Sequence, residues 1–249
     1  MTNFISAQVT PRPIYGNSDS MRAPGYIFFE PWSREAEEPT NWPDLYDVVG
    51  TNTEVDGVDT VVNRYFLTTD SSAGGDDVSM RTASLRFERN YTSLVTGMAS
   101  LLGTQTSSLQ IDTPFQTTSA ANIEGFVGLH GGVAALTALP TTARHMGVYW
   151  DVSAGANYML TASNGTTQVT VDTTVPVDTA AHILRIFWTG ENSATLQLYS
   201  AAGVTQGTGQ TVAAFNLTTG ASHEMHWFVQ TETTAAKTMY VYPWRAAWQ

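Results

Sequence analysis

HMGVYWDVSAGANYMLTASNGTTQVTVDTTVPVDTAAHILRIFWTGENSATLQLYS, residues 145–200, decides the fold class. Its apolar residues recur at every second position, the period at which side chains share one face of a β-strand. In HMGVYWDV, Met146, Val148, Trp150 and Val152 fall on one face. A turn over residues 153–157 follows, and Tyr158, Leu160 and Ala162 carry a second strand. Ser163-Asn164-Gly165 then supplies positive-φ turn chemistry before QVTVDTTV makes a third strand, so the stretch is an antiparallel meander. HILRIFW sets Leu184, Ile186 and Trp188 on one side and Ile183, Arg185 and Phe187 on the other, which reads as burial on both faces. ATLQLYS repeats the alternation with Leu196 and Leu198.

The same period extends outward. MHWFVQ places Met225, Trp227 and Val229 together, and TMYVYPW sets Met239 and Val241 against Tyr240 and Tyr242. Thr-rich runs disfavour helix, because β-branched side chains lose χ1 freedom there, and no helix is expected in this half. Upstream, TVVNRYFLT, TASLRFER, SLQIDTPFQ and NIEGFVGLHGG are candidate strands, while NYTSLVTGMASLLG reads as either strand or short helix. Residues 1–54 differ in kind. They hold six of the ten prolines, and Tyr15, Tyr26, Phe28, Phe29, Trp32, Trp42 and Tyr46 are interleaved with acidic residues. Each proline removes a ladder donor, so this segment is expected to be an extended arm or a small attachment segment. Residues 55–249 are expected to form the β-sandwich, a length that one all-β domain can fill.

Composition narrows the function classes. With 249 residues the chain can build a core without a metal or a disulfide, in keeping with its zero cysteines, which exclude thiolate metal sites and cysteine nucleophiles. Charged residues make up 13% of the chain, about half the usual share, and the net charge is −11. Lys237 is the only lysine, so no basic stripe exists to neutralise phosphates, and nucleic acid is not an expected partner. An acidic surface repels anionic lipid, and no apolar run approaches the roughly 20 residues needed to span a bilayer. MTNFISAQVTPRP lacks the basic start and apolar run of a signal peptide, so the expectation is a soluble protein made inside the cell.

Candidate chemistry is sparse. Two carboxylates on one strand face could hydrolyse glycosides, but Glu54 and Asp56 share a face that Asp59 does not, and Gly57 beside them signals a turn. His223 and His226 stand three apart, which on a strand puts their rings on opposite faces, so they are read as rim or strand-edge histidines. His130, in GLHGG, lies in a tight glycine-rich connection, and His145 and His182 open strands. No Gly-x-Ser-x-Gly elbow occurs, and SSAGGDD and AAGVTQGTGQ lie between strands, where they cannot cradle phosphate. Asp76 and Asp77 offer hard oxygen ligands for calcium, against a bland reading as solvated loop acids. The sequons at Asn90, Asn164 and Asn216 matter only in a glycosylating cell. Trp150, Trp188, Trp227, Trp244 and Trp248 could stack on sugar, but alternating apolar faces make most of them core. No catalytic residue, metal ligand or cofactor is assigned.

Tyr149 to Val152, His182 to Ile186 and Leu196 to Tyr199 match the strands "YW-x-V", "H-x-L-R-I" and "L-x-L-Y", and Phe126 to Leu129 match "F-x-G-L". In these motifs residues 55–249 resemble the concanavalin A-like, laminin-G-like jelly rolls of tailed-phage virion proteins. Two departures stand out: the family's "Y-x-D-G" hairpin is here Tyr199-Ser200-Ala201-Ala202-Gly203, and no lectin-type calcium and sugar loop is present. The resemblance implies an antiparallel jelly-roll sandwich and a virion surface component assembled in the host cytoplasm. A capsid decoration protein is the first form, bound to the major capsid protein or another virion protein and associated as a homotrimer. A tail, fibre or carbohydrate-binding module, using the concave sheet or loops on a host glycan, is the second. Partner contacts are expected at Tyr26, Phe28, Phe29, Trp32, Trp42 and Trp248, with Trp244 also available between subunits.

Overall fold

The computed structural model describes residues 27–30, 46–50, 55–59, 64–71, 73–87, 92–94, 109–131, 134–153, 155–190, 193–213 and 223–248. Among them are seventeen strands and no helix. In chain order they are β1 (Ile27–Glu30), β2 (Asp47–Gly50), β3 (Val55–Asp59), β4 (Arg64–Thr68), β5 (Asp77–Phe87), β6 (Thr92–Leu94), β7 (Leu109–Thr117), β8 (Ile123–His130) and β9 (His145–Asp151). There follow β10 (Asn157–Ser163), β11 (Gln168–Pro176), β12 (His182–Gly190), β13 (Ser193–Ser200), β14 (Thr205–Ala213), β15 (His223–Thr231), β16 (Thr238–Val241) and β17 (Trp244–Trp248). One sheet runs β14-β13-β12-β7-β16-β4-β3, with β17 also on β7 and β1 on β17. The other runs β11-β10-β9-β8-β15-β5-β2, with β6 on β5. All pairs are antiparallel, which makes the protein an all-β jelly-roll sandwich.

The inner faces carry the residues that the alternation selected. Met146, Val148 and Trp150 pack with Tyr158, Leu160 and Ala162, with Leu184, Ile186 and Trp188, and with Met225, Trp227 and Val229. Trp150 stacks on Phe115 with ring centroids 5.4 Å apart and meets Tyr158 edge-on. Position 125 must be glycine for this, because a Cβ there would run into the Trp150 indole. Trp227 donates through Nε1 to Thr113 Oγ1 at 3.0 Å, so a buried donor keeps its partner. Pro243, without an N–H, separates β16 from β17. Both halves pair with β7, β17 through its first residues and β16 through its last.

Two pieces of the N-terminal segment belong to the sheets. β1 pairs with β17, opposite Trp244 to Ala247, and β2 pairs with β5, opposite Val78 to Arg81. Tyr46 is buried between the layers, where its hydroxyl accepts the Trp244 Nε1 hydrogen at 3.1 Å. Trp244 is fully buried in consequence, which corrects the expectation that it is available between subunits. Of NYTSLVTGMASLLG, Thr92–Leu94 is strand and the remainder lies outside the described residues.

Candidate functional site

The outward face of the eight-stranded sheet is where chemistry-bearing side chains collect. Register places Ser163, His145, His130 and Glu224 in one row across β10, β9, β8 and β15. A second row holds Tyr149, Phe126, Phe228 and Ser79. An outward face should be wet, yet Phe126, Phe228, His145 and Ser163 are 0% exposed. The β8–β9 connection covers them. Leu136 and Leu139 pack on Phe126, Phe228 and Tyr149 as a second small core, and the Leu136 N–H donates to Ser79 Oγ at 3.2 Å. The groove that a jelly-roll face can offer is thus filled here by the protein's own loop.

At the β5 side, Arg81 reaches Asp47 Oδ2 and Glu224 Oε2, each at 2.8 Å. Burial opposes the Arg81 charge, but its bonds and charge pairing with Glu224 and Asp47 win and raise its pKa. This partly buried bridge ties β2, β5 and β15 together, a structural use of charge. His226 lies 3.8 Å from Glu224 and meets the His130 ring edge-on. His223, three residues away, faces inward against Trp188 at 5.5 Å. The two histidines do lie on opposite faces, but both are buried in a central strand and not at a rim. His130 ends β8 with its side chain covered.

At the other end of the sheet, three carboxylates converge. Glu124 on β8 stands opposite Asp151 on β9, Glu232 follows β15, and one oxygen from each lies within 4.8 Å of the others. Burial, then the charges of Asp151 and Glu232, raise the Glu124 pKa. Glu232 Oε1 is buried without a hydrogen-bond partner, while Asp151 Oδ1 accepts the Ser153 N–H and hydroxyl at 3.0 and 2.6 Å. Such hard oxygens suit a divalent cation such as calcium, or share a proton. Their spacing is also near the roughly 5 Å of a retaining glycosidase pair. What a hydrolase would need beside them is a groove, and the adjoining rows lie under the loop.

The residues singled out from sequence fare unevenly. Asp59 binds Arg64 at 3.0 Å, Asp56 lies in β3, and Glu54 is outside the described residues. Asp76 and Asp77 are buried, against the solvated-loop reading, and Asp76 Oδ2 accepts the Ala73 N–H at 2.9 Å, closing the turn into β5. Tyr26, Trp32 and Trp42 lie outside the described residues. Phe28 and Phe29 sit in β1 opposite Ala246 and Arg245, and Trp248 sits in β17 opposite Leu109. Glu124, Asp151 and Glu232 escaped notice because they are far apart in sequence. Each marks a strand end, and only the β9-β8-β15 order brings those ends together.

No protein-family model matches the chain. No curated protein matches it in sequence. Solved structures do match in fold. A Bacillus licheniformis β-glucanase is 7% identical with a TM-score of 0.56, over 90% of this chain and 97% of that one. Lectin UEA-II complexed with galactose is 10% identical at TM-score 0.57, over 90% and 98%. The CBM2 module of the Lactobacillus casei BL23 phage J-1 evolved Dit is 12% identical at TM-score 0.52, over 89% of each chain. These likenesses establish the concanavalin A-like jelly roll expected from sequence. At such identities they establish fold alone, and one fold hosts lectins and hydrolases alike.

Proposed function

We propose that this chain is a non-catalytic surface protein of a tailed-phage virion, in its specific form a capsid decoration protein that binds the assembled shell as a trimer. The observation that carries the reading is the filled sheet face: Leu136 and Leu139 occupy the ground over Phe126 and Phe228 where a polymer substrate would lie. Attachment falls to Tyr26, Phe28, Phe29, Trp32 and Trp42 of the N-terminal segment and to Trp248, since a solvated linker is ordinarily poor in aromatics. β1 already lies on β17 of its own sheet, and its other edge is the one that adds to a neighbour's main chain, with alternate side chains as anchors.

The experiment is cryo-microscopy with mass spectrometry of the source particle. Density for the sandwich on the head, in threefold clusters, supports the reading, and its absence from the particle refutes it. A second reading, a tail-borne glycan-binding module, is favoured by the fold likeness to a phage module described as CBM2 and to a galactose-complexed lectin. Density on the tail tip together with retention on a glycan array would select it.

A further inference from the structure

The loop over the outward face is held by a small set of anchors that converge on one ring. His145 Nδ1 lies 2.7 Å from the Ala143 carbonyl oxygen, which can only accept, so Nδ1 carries the hydrogen. Nε2 is then the acceptor of the Thr161 hydroxyl at 3.0 Å. Thr161 Oγ1 in turn accepts from Gln168 Nε2 at 3.0 Å, and the same amide reaches the Pro140 carbonyl at 3.5 Å. The imidazole therefore ties to the loop at Ala143 through Nδ1, in either protonation state, and, only while neutral, accepts at Nε2 from Thr161, whose partner Gln168 reaches Pro140. Further ties of residues 134–144 include the Leu136 N–H to Ser79 at 3.2 Å, the Ser163 hydroxyl to the Thr142 carbonyl at 3.4 Å, Arg144 Nε to the Asn164 carbonyl at 3.1 Å and the Gly131 N–H to the Arg144 carbonyl at 2.7 Å. Against them stands little apolar grip, chiefly Leu136 and Leu139.

We propose that residues 134–144 form an acid-released lid, fastened while His145 is neutral and let go when that ring takes up a proton. Protonated Nε2 becomes a donor, so the buried Thr161 hydroxyl hydrogen loses its acceptor and a charge is placed under the loop, which opening returns to water. The Ala143 carbonyl keeps its Nδ1 hydrogen in either state, but no carboxylate adjoins the ring among the described residues. His130 lies opposite on β8, Thr161 and Ser163 on β10, Gln168 on β11 and Arg144 next in the chain, while the Phe126 ring stands edge-on at 5.9 Å. The nearest carboxylate of that row, Glu224, is one strand beyond His130 and binds Arg81 at 2.8 Å. Release bares Phe126 and Phe228, a pair of aromatic rings suited to stacking or to an apolar partner.

Burial above all holds the His145 pKa down to about 4, with the Ala143 carbonyl acting against it and His130 adding to it, and burial alone holds His130 at about 4. An opened lid returns His145 to water, where a histidine titrates near 6.5. The open form therefore binds the proton first, and opening grows as pH falls from about 6.5 towards 4. For His145 alone, the open-to-closed ratio rises on the order of 50-fold between pH 7 and 4.5.

Amide hydrogen exchange on the full chain at pH 7 and 4.5, corrected for the chemical rate, tests this. The expected result is a rise of that order in exchange of residues 134–144, while β9, β12 and β15 stay protected. His145→Asn, which keeps a donor for Ala143 but cannot titrate, should exchange alike at both pH values. Should that variant lose its near-ultraviolet dichroism at pH 7, the wild-type comparison of loop against core strands still decides. Loop exchange that does not change with pH, that rises only together with the core strands, or that keeps its full pH dependence in a folded His145→Asn overturns the proposal.

Discussion

β12 with β13 and β8 with β15 belong to the same sandwich but obey different sequence rules. In β12 the buried Leu184, Ile186 and Trp188 alternate with half-buried Ile183, Arg185 and Phe187, so a period of two is written into the chain. In β15, His223 to Val229 are all buried, and charged or titratable residues sit beside Trp and Phe without alternation. The difference teaches where the second dry face comes from: β8 and β15 lie mid-sheet with the core on one side and the β8–β9 loop on the other. Glu224 is held there as an ion by Arg81.

The largest effect belongs to the inner face. Trp150→Ala should cost about 3 to 5 kcal/mol, because the cavity opens against Phe115, Tyr158 and the bare Gly125. Urea denaturation followed by tryptophan emission measures it, and a near wild-type midpoint would erase the distinction between the core and the outward face. Leu136→Ala probes the outward face. If the loop packs as a true second core, the loss is about 2 kcal/mol, the low end for a buried leucine at a site that can relax. A midpoint shift below about 0.5 kcal/mol, the range of an ordinary surface substitution, would mean that the loop merely lies on the sheet.

The smallest effect lies at the carboxylate end. The folded-state pKa of Glu124 is raised, so the stability from its protonated form is present below the unfolded value near 4.3 and is lost as pH rises through the folded value. Near pH 7 the charge only repels Asp151 and Glu232 across the strand pair. Glu124→Gln should thus stabilise by a few tenths of a kcal/mol there, a figure kept small by solvent screening. It should change nothing at pH 3. Added calcium provides the sharper reading: a melting temperature that rises in wild type and not in Glu124→Gln marks a cation site, and an unchanged one marks a cluster that shares a proton.

Fold was legible wherever one strand face is wet. Trp150, Trp188, Leu196 and Met225 stand inside as the alternation required, and the turn at Ser163-Asn164-Gly165 has Gly165 at φ +92°. The site was not legible, for two physical reasons. Glu124, Asp151 and Glu232 meet only through the order in which β9, β8 and β15 pair, and strand order is not a local property of sequence. His145 opens a strand in sequence, and only the return of residues 134–144 over the sheet makes it a hub. Ile27–Glu30, in a stretch between prolines that leaves its N–H groups intact, pairs as a strand with β17. Tyr46 of the same N-terminal segment holds Trp244 in the core through its hydroxyl.

The filled outward face carries the proposal of a non-catalytic protein, and reducing-end release from a panel of neutral and acidic polysaccharides tests that proposal most directly. The account predicts no release above buffer by the wild-type chain at pH 7 to 8, where residues 134–144 are fastened over the face. Release by wild type that is abolished in Glu124→Gln would contradict it, because it would place a working carboxylate pair at the end of that sheet and require a groove beside it.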